Sequence, residues 1–157
     1  MLTTYPYDIA LSAPRQPGVL APINPIILVH GLFGFDTFFG ITDYWKDVPE
    51  ALRAAGAREV HVARVSATSA VETRAAELAG QINRKYPGRS VHLIGHSMGG
   101  LDCRYLTTHL SKACAFTVLS VSTFATPHRG SPAADLVATT HSELKFLTVV
   151  PTNLDNE

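Results

Sequence analysis

Apolar positions recur along this chain with two periods, and the two alternate. Ile26-Ile27-Leu28-Val29 is a short, mostly β-branched run ending at His30-Gly31, the pattern of a strand buried on both faces. Trp45, Val48, Leu52 and Ala55 follow at helical spacing, and Gly56 supplies a stop. Residues 59–65 alternate as a second strand. Ser69 with Glu72 three residues on reads as a capping box. Val71, Ala75, Leu78 and Ile82 then line one face of a helix closed by Pro87-Gly88. Val91 to Ile94 is the third strand. Gly99, Cys103, Leu106 and Leu110 form the inward stripe of the next helix, and residues 116–124 the fourth strand. Residues 1–24 are an irregular, proline-punctuated lead-in, and the partial domain runs over 25–157.

The order β-α-β-α-β-α-β with short connections predicts an α/β fold: a parallel sheet with helices on both faces and right-handed crossovers. Such sheets carry their chemistry outside the carboxyl ends of the strands. His30-Gly31, Ser97 and Thr126-Pro127-His128 all follow strand ends, which puts three candidate segments on one rim.

Composition narrows the partners. With 46% hydrophobic and 17% charged residues the chain is globular, and 13 basic against 13 acidic residues leave no footprint for nucleic acid. Neutrality leaves transient contact with a lipid surface open through apolar groups alone. No apolar run approaches the ~18 residues of a membrane span. The start of the chain lacks a basic segment followed by a continuous apolar one, so cytoplasmic is the default expectation. Cys103 and Cys114 make neither a disulfide framework nor a metal pattern. No metal and no dissociable cofactor are expected.

Gly95-His96-Ser97-Met98-Gly99 lies between the third strand and its helix. This is G-x-S-x-G in the strand–turn–helix context of a nucleophile elbow, where a serine Oγ is exposed above the sheet. Taken alone the motif is also that of a plain tight turn. With its flanking elements it makes Ser97 the candidate nucleophile and acyl transfer the reaction class. Two backbone N–H groups must then face the developing oxyanion. Met98, following the nucleophile, supplies one, and Leu32 in the loop after the first strand supplies the other. His30, Gly31, Phe33 and His128 are candidate substrate-contacting residues. Phe33, Phe35, Phe38 and Phe39 suit an acyl pocket as well as they suit a packed core. His96 is expected to pack under the elbow, and His61 and His92 to be structural.

Four stretches then carry a resemblance: residues 25–34 (PIILVHGLFG), Asp43-Tyr44-Trp45, residues 91–101 (VHLIGHSMGGL) and residues 124–131 (FATPHRGS). In this order they resemble the bacterial triacylglycerol lipase family of α/β-hydrolases, from about Pro25 to Leu136. The resemblance implies a carboxylic ester hydrolase acting on acylglycerols or similar lipid esters, with Ser97 as nucleophile and Leu32 and Met98 as oxyanion donors. Family members are longer, and place the acid and the histidine after later strands. The resemblance therefore implies an N-terminal part of that fold, ending after the fourth predicted strand, with the acid and base of the triad missing.

Local substitutes for them are His128, His141 and Asp135. Residues 131–150 read two ways, as the start of a lid with an apolar face or as an ordinary surface helix. The fourth strand is expected at an open edge, with poor solubility or oligomerisation to follow. Two other functions compete: a catalytically inactive hydrolase-fold module, and a lipid acyltransferase or deacylase.

Overall fold

The computed structural model describes residues 22–32 and 44–130. The chain divides into two compact units, 1–126 and 127–157. In the first, four parallel strands form one sheet: β1 (Ile26–Val29), β2 (Val60–Val62), β3 (Ser90–His96) and β4 (Thr117–Phe124), in the order β2-β1-β3-β4. Between them run α1 (Val48–Ala54), α2 (Val71–Lys85) and α3 (Met98–Tyr105).

β1 is buried along its whole length, as its unbroken apolar run requires. Ile27 and Val29 join a core with Leu78, Ile82, Val91, Leu93, Cys103 and Leu106, which places α2 and α3 on one face of the sheet. Ile26 and Leu28 join Trp45, Leu52, Val60 and Ile94 under α1 on the other face. The expected two-sided packing is therefore present. Most of the two inward stripes fall where the periodicity puts them: Ala75, Leu78 and Ile82 of α2, Gly99 and Cys103 of α3, and Leu106 just beyond it are buried, while Val71 and Leu110 are only half-buried. Burial pushes the Cys103 thiol up to about 12, so it is an inert packing group.

Three local expectations are corrected. The capping box does not form: Ala70, not Ser69, occupies the N-cap of α2, with no side-chain cap bond. The helical stripe begun at Trp45 is incomplete, because Val48 is exposed while Pro49 and Leu52 face inward. The helix after Ser97 changes at Leu106–Leu110 into a π turn. Thr107 Oγ1 bonds to the carbonyls of Cys103 and Arg104 there, and such hydroxyls compete with the helical ladder. The stop after α1 is as expected. Gly56 has φ 104°, and the Gly56 and Ala57 N–H groups close on Arg53 and Leu52, a Schellman motif.

Among the described residues β4 is an edge strand, as anticipated. It leaves Leu119, Val121 and Phe124 exposed.

Candidate active site

Ser97 follows the last residue of β3 and caps α3 with φ 54° and ψ −127°. A side chain in that region costs about 1–3 kcal/mol and persists only where its surroundings enforce it. Here they do. The Ser97 N–H donates to the Phe124 carbonyl at 2.9 Å, which ties the turn to the end of β4. The glycines around it remove every Cβ that would hold sheet and helix apart. A Cβ on Gly95 would lie 2.6 Å from the Gly100 backbone, and one on Gly99 would lie 2.2 Å from the Val29 carbonyl oxygen.

The loop after β1 meets the serine directly. A Cβ on Gly31 would stand 2.7 Å from Ser97 Cβ and 3.1 Å from Ser97 Oγ, so glycine is needed for this approach. The Gly31 N–H donates to the Tyr44 hydroxyl at 2.9 Å, and that hydroxyl also bonds His96 Nδ1. Burial raises the Tyr44 phenol above its ordinary value, so it remains an O–H. Met98 is the first residue of α3, where N–H groups have no partner within the helix.

His30 departs from its expected place among the substrate-contacting groups. Its side chain is fully buried, with Nδ1 on the Gly31 carbonyl at 2.8 Å and Nε2 on the Val65 N–H at 3.3 Å. It lies beneath the site rather than in it. Phe33, Phe35, Phe38, Phe39, Asp135, His141 and the 131–150 segment fall outside the described residues. His128 belongs to the second unit, where it forms an isolated bridge with Gly130. His96 packs edge-on against Tyr44 and Trp45 below the elbow, as expected. His61 accepts from Lys85, and His92 bonds Ser120 across β3 and β4.

Two partners of the site were not singled out from sequence: Arg74 and Asp102, an ion pair with both side chains fully buried. Arg74 Nε donates to Asp102 Oδ2 at 2.9 Å, Nη2 donates to the His30 carbonyl at 2.7 Å, and Nη1 donates to the Ser66 carbonyl. One guanidinium thus joins the end of β1, the loop after β2 and the helix behind Ser97. Burial holds the Asp102 carboxyl above its usual range, and the bonds from Arg74 offset only part of that. The signal in the sequence was a charge at 74, inside the apolar stripe that runs from Val71 to Ile82.

Burial lowers both His30 and His61, so each takes up a proton less readily in the fold than in the unfolded chain; Arg74 and the Tyr44 ring face His30. An unfolded histidine titrates near about 6.5. Below that pH the unfolded chain takes up protons that the folded one refuses, so stability falls as the pH drops through it. The urea midpoint is expected to be lower at pH 5.5 than at pH 7.5, and the difference to shrink in His30→Asn. An equal drop in both proteins would sink the assignment.

Among the described residues no group of His, Cys, Asp and Glu is arranged to hold a metal ion. No described helix is long and apolar enough to cross a membrane.

A triacylglycerol lipase of Vibrio cholerae is 42% identical over 125 residues, covering 78% of this chain and 38% of its own length. A triacylglycerol lipase of Pseudarthrobacter phenanthrenivorans is 39% identical, covering 72% of this chain and 36% of its own. The chain thus spans well under half of the length of these two relatives. The mature form of the Bacillus licheniformis lipase BlEst2 superposes with a TM-score of 0.58 at 26% identity, over 74% of this chain and 46% of that one. The sheet and helices are those of the α/β-hydrolase fold, and the likeness to triacylglycerol lipases covers most of the chain. A family model matches residues 47–145, and the chain belongs to that family, the PGAP1-like alpha/beta domain.

Proposed function

We propose that this chain carries the nucleophile and oxyanion hole of a carboxylic ester hydrolase acting on acylglycerols or similar lipid esters. The observation that carries the reading is Ser97 at φ 54° on the β3–α3 turn, with the Gly31 backbone packed against it. The lipase names of its relatives support the substrate class. Ser97 Oγ attacks the ester carbonyl, and a tetrahedral oxyanion forms between the Leu32 and Met98 N–H groups. The alcohol leaves, and water releases the acid from the acyl-enzyme. A general base takes the serine proton. The engagement of both His30 ring nitrogens argues against His30 in that role.

The test is reaction of the folded chain with a fluorophosphonate, followed by peptide mass mapping. The expected result is one adduct, on Ser97, blocked by prior incubation with a short-chain ester. A folded protein that takes no adduct, or takes it elsewhere, would leave a hydrolase-fold module without an activated serine. Product analysis with water and alcohol acceptors separates hydrolysis from acyl transfer.

A further inference from the structure

Two consecutive peptide groups lead from β1 to the residue that follows Gly31, and side chains hold both. In the first, His30–Gly31, the carbonyl accepts from Arg74 Nη2 at 2.7 Å and the N–H donates to the Tyr44 hydroxyl at 2.9 Å. In the second, Gly31–Leu32, the carbonyl is held by His30 Nδ1 at 2.8 Å. A trans peptide points its C=O and N–H in opposite directions. Fixing the Gly31 carbonyl toward the buried imidazole therefore fixes the Leu32 N–H away from it. Glycine at position 31 makes such a lock necessary. It is required by the closeness of Ser97, yet it is the residue that turns its flanking peptides most freely.

The chemistry of the two contacts sets the form of the ring. A carbonyl oxygen only accepts, so Nδ1 carries the proton. The Val65 N–H only donates, so Nε2 carries the lone pair. An imidazolium would face the Val65 donor with an N–H, and the other tautomer would face the Gly31 carbonyl with a lone pair. Both are refused.

We propose that His30 is a positioning residue: its neutral imidazole, protonated on Nδ1, aims the Leu32 N–H at the oxyanion. This rests on the reading of Leu32 as an oxyanion donor, and it explains why a histidine that cannot reach substrate precedes Gly31. Depression of its basicity by burial keeps the ring in the required form.

Asparagine and glutamine divide the ring's two duties. His30→Asn keeps an N–H where Nδ1 stood and loses the acceptor for Val65. His30→Gln keeps an acceptor where Nε2 stood and loses the donor to Gly31. Loss of one oxyanion donor slows reaction by about 10²–10³-fold. His30→Gln is therefore expected to slow fluorophosphonate capture by Ser97 by that factor, and His30→Asn by less than about tenfold on the same scale, at similar thermal midpoints. Rates that fall together, or that simply track the midpoints, would overturn the proposal.

Histidine ¹⁵N spectra of the full chain give a readout independent of activity. The expected pattern is Nδ1–H with an unprotonated Nε2 at pH 7; the Nε2–H tautomer or an imidazolium overturns the proposal. If the wild-type chain takes no label, that result counts against Ser97 as an activated nucleophile, and the amide cross-peaks decide His30. The Leu32 cross-peak should move in His30→Gln and hold in His30→Asn; equal behaviour in the two variants overturns the proposal.

Discussion

Arg74→Met is expected to remove about 3–5 kcal/mol of folding stability, the cost of stranding one partner of a buried ion pair. A domain of this size has only about 5–15 kcal/mol in all. Met fills the space of the arginine stem but gives Asp102 nothing. The carboxylate is fully buried, and its Oδ1 already lacks a hydrogen-bond partner. The His30 and Ser66 carbonyls lose their donors as well.

The pH dependence follows in sign. Without Arg74 the Asp102 carboxyl rises further above its unfolded value. The penalty is absent below about pH 4, where both states are protonated, and grows as pH rises toward the folded pKa. The variant should therefore be closer to wild type at pH 5 than at pH 8 in urea titrations. Arg74→Met combined with Asp102→Leu should recover much of the loss, because an apolar pair needs no counter-charge. A single variant within about 1 kcal/mol of wild type at pH 8, the range of a surface pair, would refute the role given to this pair.

Gly99→Ala is expected to be strongly destabilising, because the atoms it would meet are backbone. Its Cβ would sit 2.2 Å from the Val29 oxygen, 2.6 Å from the His30 oxygen and 2.8 Å from the Val29 carbonyl carbon. Val29 ends a fully buried strand and pairs with Gly95, and the His30 oxygen is held by Arg74, so these backbone atoms cannot swing away as a side chain would. Helix α3 must lift instead, and it carries Ser97 and Met98 with it. Overpacking of this kind costs about 1–3 kcal/mol or more. Gly80→Ala is the internal control. Its Cβ would meet only the Arg84 guanidinium at 3.4 Å, in the middle of α2, and alanine there should stabilise by about 0.5–1 kcal/mol. Thermal midpoints that move in opposite directions bear this out. A neutral Gly99→Ala would show that the elbow tolerates displacement.

The elements that could be read in advance are those whose signal is local. β1 and β3 are short runs of apolar residues at a strand's period, and the G-x-S-x-G turn between β3 and α3 announces itself by its glycines. What escaped is what depends on distant partners. Nothing near Arg74 says that its guanidinium will meet Asp102, 28 positions on, or the carbonyl of His30, 44 positions back. Tyr44 stood in a motif that carried the family resemblance, yet its bond to the Gly31 amide comes from the crossing of two loops. His30 borders the rim, and its place in the chain alone points it at substrate. Burial and two fixed hydrogen bonds turn it inward, and spacing along the chain does not encode that. The Ser69 capping box failed for the opposite reason: a favourable local pattern gave way to the position of the chain, which begins the helix at Val71.

The bond from the Ser97 amide to the Phe124 carbonyl also sets an order of events during synthesis. At about 5–20 residues per second, the serine leaves the site of translation seconds before Phe124 does. The positive φ at Ser97 has no β4 to lean on in that interval. Pairing of β1 with β3, more than 60 positions apart, is likewise a late, non-local event. A nascent chain therefore carries Ser97 in relaxed form, and the strained turn is assembled only after the sheet closes around it.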